Sequence, residues 1–275
     1  MQFPPVKEKA LEHDIPVYQP KKIKDPEFLS LLESMKPDVI VVVAFGRLLP
    51  KTVLDLPKYG CINGHASLLP KYRGAAPIQW AVINGETESG VTTMYMDVGL
   101  DEGDMIQKTV VPLDKKETGG SLHDKLSLAG AKLMTETLKQ LEDGAAIRTP
   151  QGEMTTEYAR MLDKSMGDID WDQDAAFIER LIRGLNPWPS AYTRLGQKTV
   201  KIWDADVIEE DHEGENGQVV GFGAGSARDS IMVKTGRGIL AVKELQMEGK
   251  KRMTADAFLR GYPLEVGALF TRGGN

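Results

Sequence analysis

The sequence has little cysteine and no long apolar run, and both absences narrow the class of protein. A single cysteine, Cys61, excludes an intramolecular disulfide, which favours a reducing compartment such as the cytoplasm. The longest apolar stretch covers only residues 39–45 and is too short to cross a bilayer. The first residues do not combine a basic region with an apolar segment, so they do not resemble a secretory signal. We therefore expect a cytoplasmic protein with no membrane partner.

Basic charge is also scarce relative to acidic charge. The chain has 34 Lys and Arg residues against 40 Asp and Glu residues, a net charge of −6. Its overall field therefore does not attract RNA, and any RNA contact must come from local basic stretches. One such stretch contains Arg194, Lys198 and Lys201, and another covers residues 250–252. Basic residues at strand ends and turns are commonly just solvated, so composition leaves an RNA partner undecided.

The first part of the chain has the pattern of an α/β fold. At 275 residues the chain is longer than one hydrophobic core usually supports, so two domains are expected. A strand is predicted over 15–18, and Pro26 is a suitable first residue for a helix. The continuous apolar run over 39–44 predicts a strand buried on both faces in a parallel sheet. A strand over 60–63 and a helix from Pro77 complete the alternation of strands and helices.

A predicted strand pair and a long helix follow. The strands are expected over 91–96 and 104–111, joined by a loop between glycines. Thr118 and Ser121 are suitable N-caps for an amphipathic helix with leucines at helical spacing. Gly144 is a suitable position for the end of that helix.

The hydrophobic pattern weakens over residues 145–160, and we interpret this segment as a linker. It divides the chain into a first domain over 1–144 and a second domain over 161–275. The second domain is predicted to start with a helix over 174–185. A small β-barrel should follow, because Gly and Asp clusters separate several short strand-like pieces. These pieces cover residues 191–195, 199–207, 217–221, 230–234 and 238–246.

Asn63, His65 and Asp101 are the side chains best suited to chemistry. Asn63 and His65 come where an apolar strand ends, which is where open α/β sheets bind ligands. An amide and a protonated imidazole can donate hydrogen bonds to a developing oxyanion, and a carboxylate can orient the imidazole or accept a proton. Such a set can assist the attack of an amine on a carbonyl carbon. The same polar cluster is also ordinary turn chemistry, so the pattern alone leaves both interpretations open.

The chain resembles the methionyl-tRNA formyltransferase family in two long motifs and two short ones. The long motifs cover residues 60–79 and 96–105, and the short ones cover residues 186–189 and 250–253. The resemblance extends over essentially the whole chain. It implies a Rossmann-like formyltransferase domain, followed by a barrel domain similar to an OB fold that helps to hold tRNA.

The resemblance implies transfer of a formyl group from 10-formyltetrahydrofolate to the amino group of methionyl initiator tRNA, for translation initiation. We expect Asn63 and protonated His65 to stabilise the oxyanion. Asp101 is expected to orient His65 and to help move a proton from the attacking amine to the leaving folate nitrogen. No metal is expected, because the other histidines have no partners at ligand spacing. We expect the protein to act as a monomer.

Residues Ser67, Leu68, Leu69 and Pro70 match the family segment that lines the folate site. Their backbone groups could face the edge of the pterin while the two leucines pack against its ring. The leucines could equally belong to the hydrophobic core, because ligand pockets are themselves mostly apolar.

Family members begin with a β-α-β unit, and this chain starts after the position of that unit. The unit takes about 30 residues or more and forms much of one half of the sheet. With the unit missing, the apolar strand over 39–44 is expected to leave a solvent-facing apolar patch. We expect the chain to be poorly soluble and to lack formyltransferase activity on its own.

Two other functions stay open at this point. Folate-dependent formyltransferases that act on a small amine, such as an amino-sugar nucleotide or glycinamide ribonucleotide, share the Asn-x-His and Asp pattern. Residues 73–79 and the basic residues 249–253 favour the enzyme that acts on tRNA. An inactive fragment that only binds RNA through the barrel is the third hypothesis.

Overall fold

The structure, a computed structural model, describes residues 3–223 and 229–273, which form one four-stranded and one seven-stranded β-sheet. The helices are α1 (Pro5–Glu12), α2 (Pro26–Met35), α3 (Lys51–Leu54), α4 (Pro77–Ile83), α5 (Gly119–Glu142), α6 (Ala175–Gly184) and α7 (Ala255–Gly261). The strands are β1 (Ile40–Val42), β2 (Cys61–His65), β3 (Glu88–Tyr95), β4 (Met105–Pro112), β5 (Ala191–Leu195), β6 (Lys198–Ile208), β7 (Val219–Phe222), β8 (Ile231–Lys234), β9 (Ile239–Met247), β10 (Met253–Thr254) and β11 (Phe270–Thr271).

The first sheet has the strand order β1-β2-β3-β4, with β1 parallel to β2 and the other pairs antiparallel. The long helix α5 packs against β3 and β4, where Leu122, Leu126 and Leu133 form a core with Val91. Its start is fixed by a capping box in which Thr118 and Ser121 exchange hydrogen bonds between side chain and backbone. The predicted strand pair and capped helix are therefore confirmed.

Strand β1 lies at the edge of the first sheet and exposes apolar side chains. Val41 is 41% exposed and Val43, just after the strand, is 64% exposed, whereas Val42 is buried. The predicted strand buried on both faces is thus wrong, because the face that carries Val41 is exposed; β1 also pairs only with β2 among the described residues. The predicted apolar patch beside this strand is confirmed. Residues 15–18, also predicted as a strand, form no regular element and find no partner strand.

The second sheet is antiparallel and curls back on itself. Its strand order is β11-β5-β6-β9-β8-β7, and β10 pairs with β9. Gly267 and Ala268, just before β11, exchange backbone hydrogen bonds with Val219 of β7 at 2.8 Å. Strand β11 pairs with β5 at one end of the strand order, and β7 lies at the other end. The contact therefore brings the two ends of the sheet together. The curled sheet encloses a core that includes Val233 and Leu240, and the predicted barrel-like fold is confirmed in this form.

Helix α6 packs on the curled sheet and on helix α4 of the first part of the chain. Ile178 and Ile182 enter the core of the curled sheet, whereas Leu181 packs with Ile83 of α4. Gly184 allows the close approach, since a Cβ there would lie 2.4 Å from the Ile83 side chain. No helix among residues 3–223 and 229–273 is long and apolar enough to cross a membrane.

Residues 145–160, interpreted above as a linker, contain no helix and only isolated β-bridges. Thr149 exchanges two backbone hydrogen bonds with Met105 at the start of β4. Ala159 bonds the backbone of residues 73–76. The segment is therefore bonded to the start of β4 and to the backbone just before α4.

We expect Val43→Lys to reduce self-association of the chain. A lysine beside an edge strand opposes pairing with another strand and removes an exposed apolar group. Light scattering at increasing protein concentration measures the effect. Leu128→Lys, on the exposed face of α5 and away from this edge, is the matched control. An equal improvement in both variants would show that the edge strand is not the cause of association.

Candidate functional site

The structure brings Asn63, His65 and Asp101 together. Asn63 and His65 both lie within β2, which pairs with β3 and extends two residues beyond the strand predicted over 60–63. Because side chains alternate along a strand, residues 63 and 65 face the same side. Asp101 comes from the loop between β3 and β4, and its Oδ1 accepts a hydrogen bond from Asn63 Nδ2 at 3.3 Å. Its Oδ2 lies 3.7 Å from His65 Nδ1. Both His65 and Asp101 are buried.

The hydrogen bond of His65 Nε2 determines which ring nitrogen is available for chemistry. Nε2 lies 2.9 Å from the backbone carbonyl of Tyr72. A carbonyl oxygen can only accept, so Nε2 carries a hydrogen. Nδ1 is therefore the nitrogen that can gain or lose a proton, and it faces Asp101. At 3.7 Å the two groups attract each other by charge when the imidazole is protonated, without a regular hydrogen bond.

The Asp101 carboxylate is held from both sides. Besides the contact with Asn63, its Oδ2 accepts a hydrogen bond from the backbone N–H of Gly74 at 3.0 Å. The backbone of Asp101 itself has a φ of +56°. A side chain in this left-handed region costs roughly 1–2 kcal/mol, so the surrounding contacts must maintain the conformation.

Residues 72–74 form a turn that supports both His65 and Asp101. Tyr72 and Gly74 have φ values of +57° and +125°. The Tyr72 hydroxyl donates to Glu86 at 2.8 Å, and burial raises the pKa of Tyr72 to about 12, so the hydroxyl keeps its proton. The Tyr72 N–H donates to the Thr156 hydroxyl at 2.8 Å. The sequence does not identify the Tyr72 carbonyl and the Gly74 N–H as the groups that hold His65 and Asp101, because every residue has such backbone atoms.

The polar groups of residues 67–70 are largely used inside the protein. Ser67 and Leu69 are buried. The Thr92 hydroxyl donates to the Ser67 carbonyl at 2.7 Å and accepts from the Leu69 N–H at 3.1 Å. The Lys108 ammonium donates to the Leu69 carbonyl. These backbone groups are therefore already satisfied by neighbouring residues.

Leu68 and Pro70 are the more exposed members of this segment. Both border a cavity of about 270 Å³, which is also lined by Lys108 and Thr155. Glu88 lines the same cavity, so the lining combines apolar side chains with groups of both charges and is compatible with a ligand that has a flat ring and polar substituents.

Cys61 is a buried structural residue of β2. Burial raises the pKa of its thiol to about 11, so the thiol stays protonated at neutral pH and is a poor nucleophile. Across the described ranges, no group of three or more His, Cys, Asp or Glu side chains is arranged to hold a metal ion.

The two basic stretches of the second part of the chain meet at one aromatic side chain. Lys201 Nζ lies 5.7 Å from the Trp203 ring centre, and the Arg252 guanidinium lies 5.2 Å from it. The Trp203 indole N–H donates to Gln246 at 3.2 Å. Basic groups beside an aromatic ring are a combination that binds nucleic acids, although Arg252 also pairs with Glu244.

Comparison with known proteins gives consistent matches over both parts of the chain. Residues 2–138 match the family model described as formyl transferase, and residues 161–263 match the formyl transferase C-terminal domain. A methionyl-tRNA formyltransferase from Agathobacter rectalis is 55% identical over 271 residues, which cover 98% of this chain and 86% of the relative. Another methionyl-tRNA formyltransferase, from Lachnospira eligens, is 52% identical over a match that covers 97% of this chain and 85% of the relative.

A solved structure supports the same fold at lower similarity. It is an N-formyltransferase from Helicobacter canadensis, in complex with folinic acid and dTDP-3-aminofucose. The two chains are 20% identical with a TM-score of 0.63, over 86% of this chain and 81% of the other.

We expect Gly74→Ala to destabilise the protein by about 3 kcal/mol or more, measured by chemical denaturation. An added Cβ would lie 2.6 Å from the Ala159 carbonyl oxygen and 2.9 Å from the Tyr158 ring, at a φ of +125°. Gly144→Ala is the matched control, because its φ is also positive but nothing lies within 4 Å. That control should cost about 1 kcal/mol. Equal costs would contradict the proposed steric role of Gly74.

Proposed function

The chain belongs to the formyl transferase family, and we propose that it formylates the α-amino group of methionine on initiator tRNA, with 10-formyltetrahydrofolate as the donor. The observation that supports this function best is the convergence of Asn63, His65 and Asp101 on one buried position. The 55% identity to a methionyl-tRNA formyltransferase, over 98% of the chain, supports the choice of substrate.

Asn63 and His65 supply hydrogen-bond donors for the formyl oxygen. One N–H of the Asn63 amide bonds Asp101, and its second N–H has no acceptor in the described parts of the chain. That N–H can donate to the oxygen as negative charge develops on it during attack by the amine. His65 Nδ1 provides a further donor when the imidazole is protonated, because Nε2 is already committed to the Tyr72 carbonyl.

Asp101 orients the imidazole and takes part in proton movement. Its Oδ2 lies 3.7 Å from His65 Nδ1 and is held in place by the Gly74 N–H. The attacking amine must lose a proton as its bond to the formyl carbon forms, and the leaving folate nitrogen must gain one as its bond breaks. The carboxylate can accept the first proton and return it, directly or through water.

We further propose how the rest of the chain contributes. Residues 67–70 take part in folate binding, chiefly through the Leu68 and Pro70 side chains at the edge of the cavity. Residues 1–144 form the catalytic domain, 145–160 connect the domains, and 161–275 form the domain that binds tRNA. The surface around Trp203 is a suitable tRNA contact. The enzyme is proposed to act as a cytoplasmic monomer.

A formylation assay with competing amines tests the substrate. The assay offers 10-formyltetrahydrofolate together with Met-tRNA and an amino-sugar nucleotide. The sugar nucleotide is the relevant rival because dTDP-3-aminofucose is bound in the Helicobacter canadensis structure. We expect Met-tRNA to be formylated selectively, and preferential formylation of the sugar would overturn the proposal. Residues 1–275 are assayed first, because the expectation stated above is that they have no activity on their own. If they show none, substrate selectivity is measured on the chain with the family's N-terminal β-α-β unit added.

We expect His65→Asn to lower the single-turnover rate by about 100-fold or more, because loss of one oxyanion donor typically costs roughly 3 kcal/mol. Asn63→Ala should have an effect of similar size. The matched control is His123→Asn, since His123 is exposed on α5 and contacts only Asp124 among the described residues. Near-native rates in the first two variants would contradict their assigned roles.

A further inference from the structure

Gln151 lies in the segment between the two sheets, yet its side chain bonds the loop that carries Asp101. Its Nε2 donates to the backbone carbonyl of Asp101 at 2.8 Å and to that of Gly103 at 2.7 Å. Its Oε1 accepts a hydrogen bond from Arg73 Nε at 2.9 Å. Both donors and one acceptor position of the amide are thus used, in a partly buried place where water competes less.

The loop between β3 and β4 needs an outside contact to keep its shape. Asp101 has a positive φ, and the carbonyls of residues 101 and 103 both turn toward one point. Two carbonyl dipoles that converge repel each other unless a donor pair lies between them. Gly103 cannot be replaced to stiffen the loop, since a Cβ there would lie 1.8 Å from the Tyr95 carbonyl oxygen.

The other end of the Gln151 amide reaches the turn that supports His65. Arg73 lies between Tyr72, whose carbonyl accepts from His65, and Gly74, whose N–H donates to Asp101. The Arg73 guanidinium also donates to the Gly152 carbonyl at 2.9 Å. Gln151 therefore joins the two backbone segments that hold the His65 imidazole and the Asp101 carboxylate.

We propose that Gln151 is a positioning residue of the formyl-transfer site. It sets the separation between His65 Nδ1 and Asp101 Oδ2 by joining the Asp101 loop to the turn at Arg73. The role of Gln151 in turnover rests on the proposed function, whereas its role in placing the two groups rests on the hydrogen bonds alone. The glutamine amide provides two donors and an acceptor in one plane, whereas glutamate lacks the donors, and methionine lacks the donors and offers only a weak sulfur acceptor.

The experiment compares Gln151→Met and Gln151→Glu with Gln107→Met. Gln107 is a suitable control, because it is a partly buried glutamine on β4 whose amide donates to Thr137 on α5, outside the site. Three quantities are measured: the melting temperature, kcat and KM for Met-tRNA, and the ring ¹⁵N signals of His65. The chain has four histidines, so comparison with His65→Asn assigns these signals.

We expect both Gln151 variants to lower kcat by about 10- to 100-fold with little change in KM, because a misplacement near 1 Å can cost that much. The His65 ring signals should shift in both variants and not in Gln107→Met, at comparable losses of melting temperature. Unchanged His65 signals in Gln151→Met would overturn the proposal. So would a loss of kcat equal to that of the Gln107 control.

The design separates this proposal from the proposed function. If the parent chain formylates no amine, the His65 ring signals of the ligand-free protein alone decide whether Gln151 positions the pair. If the parent formylates a small amine in preference to Met-tRNA, the proposed substrate fails, and kcat for that amine replaces the kcat for Met-tRNA.

Discussion

The turn at residues 72–74 determines the relative positions of the groups proposed to perform catalysis. Its Tyr72 carbonyl accepts from His65, and its Gly74 N–H donates to Asp101, so two backbone atoms two residues apart fix an imidazole and a carboxylate. The turn has a positive φ at both residues, which is strained at Tyr72 but not at Gly74, because glycine has no Cβ. Hydrogen bonds to Glu86 and Thr156 offset that strain, and they come from separate parts of the chain.

The segment over 145–160 links this arrangement to the rest of the molecule. It bonds Met105 through Thr149, the Asp101 loop through Gln151, and the turn through Thr156. Helix α6 adds a second connection, because it packs on the curled sheet and on α4, the helix that follows the turn. The turn and the helix after it are therefore both held by residues outside the first sheet.

Much of the fold could be predicted from local signals. The capped helix α5, the strand pair β3–β4 and most strands of the curled sheet have periodicity and turn residues that identify them. The exposure of β1 could not be predicted from its apolar composition, because burial depends on which strands lie beside it. Asn63, His65 and Asp101 stood out by residue type, whereas Gln151 did not. Its partner Arg73 lies 78 positions away, and the atoms it holds are backbone carbonyls.

The hydrogen bond from His65 Nε2 to a backbone carbonyl limits the direction from which a proton can be transferred to or from the ring. A histidine with both nitrogens free can take a proton on one side of its ring and release it on the other. Here Nε2 bonds the Tyr72 carbonyl, so only Nδ1 can gain or lose a proton. Any group that exchanges a proton with this imidazole must therefore approach its Nδ1 edge. Asp101 lies beside that edge, so in the proposed mechanism the carboxylate that moves the proton and the imidazole that donates to the oxyanion act from the same side of the ring.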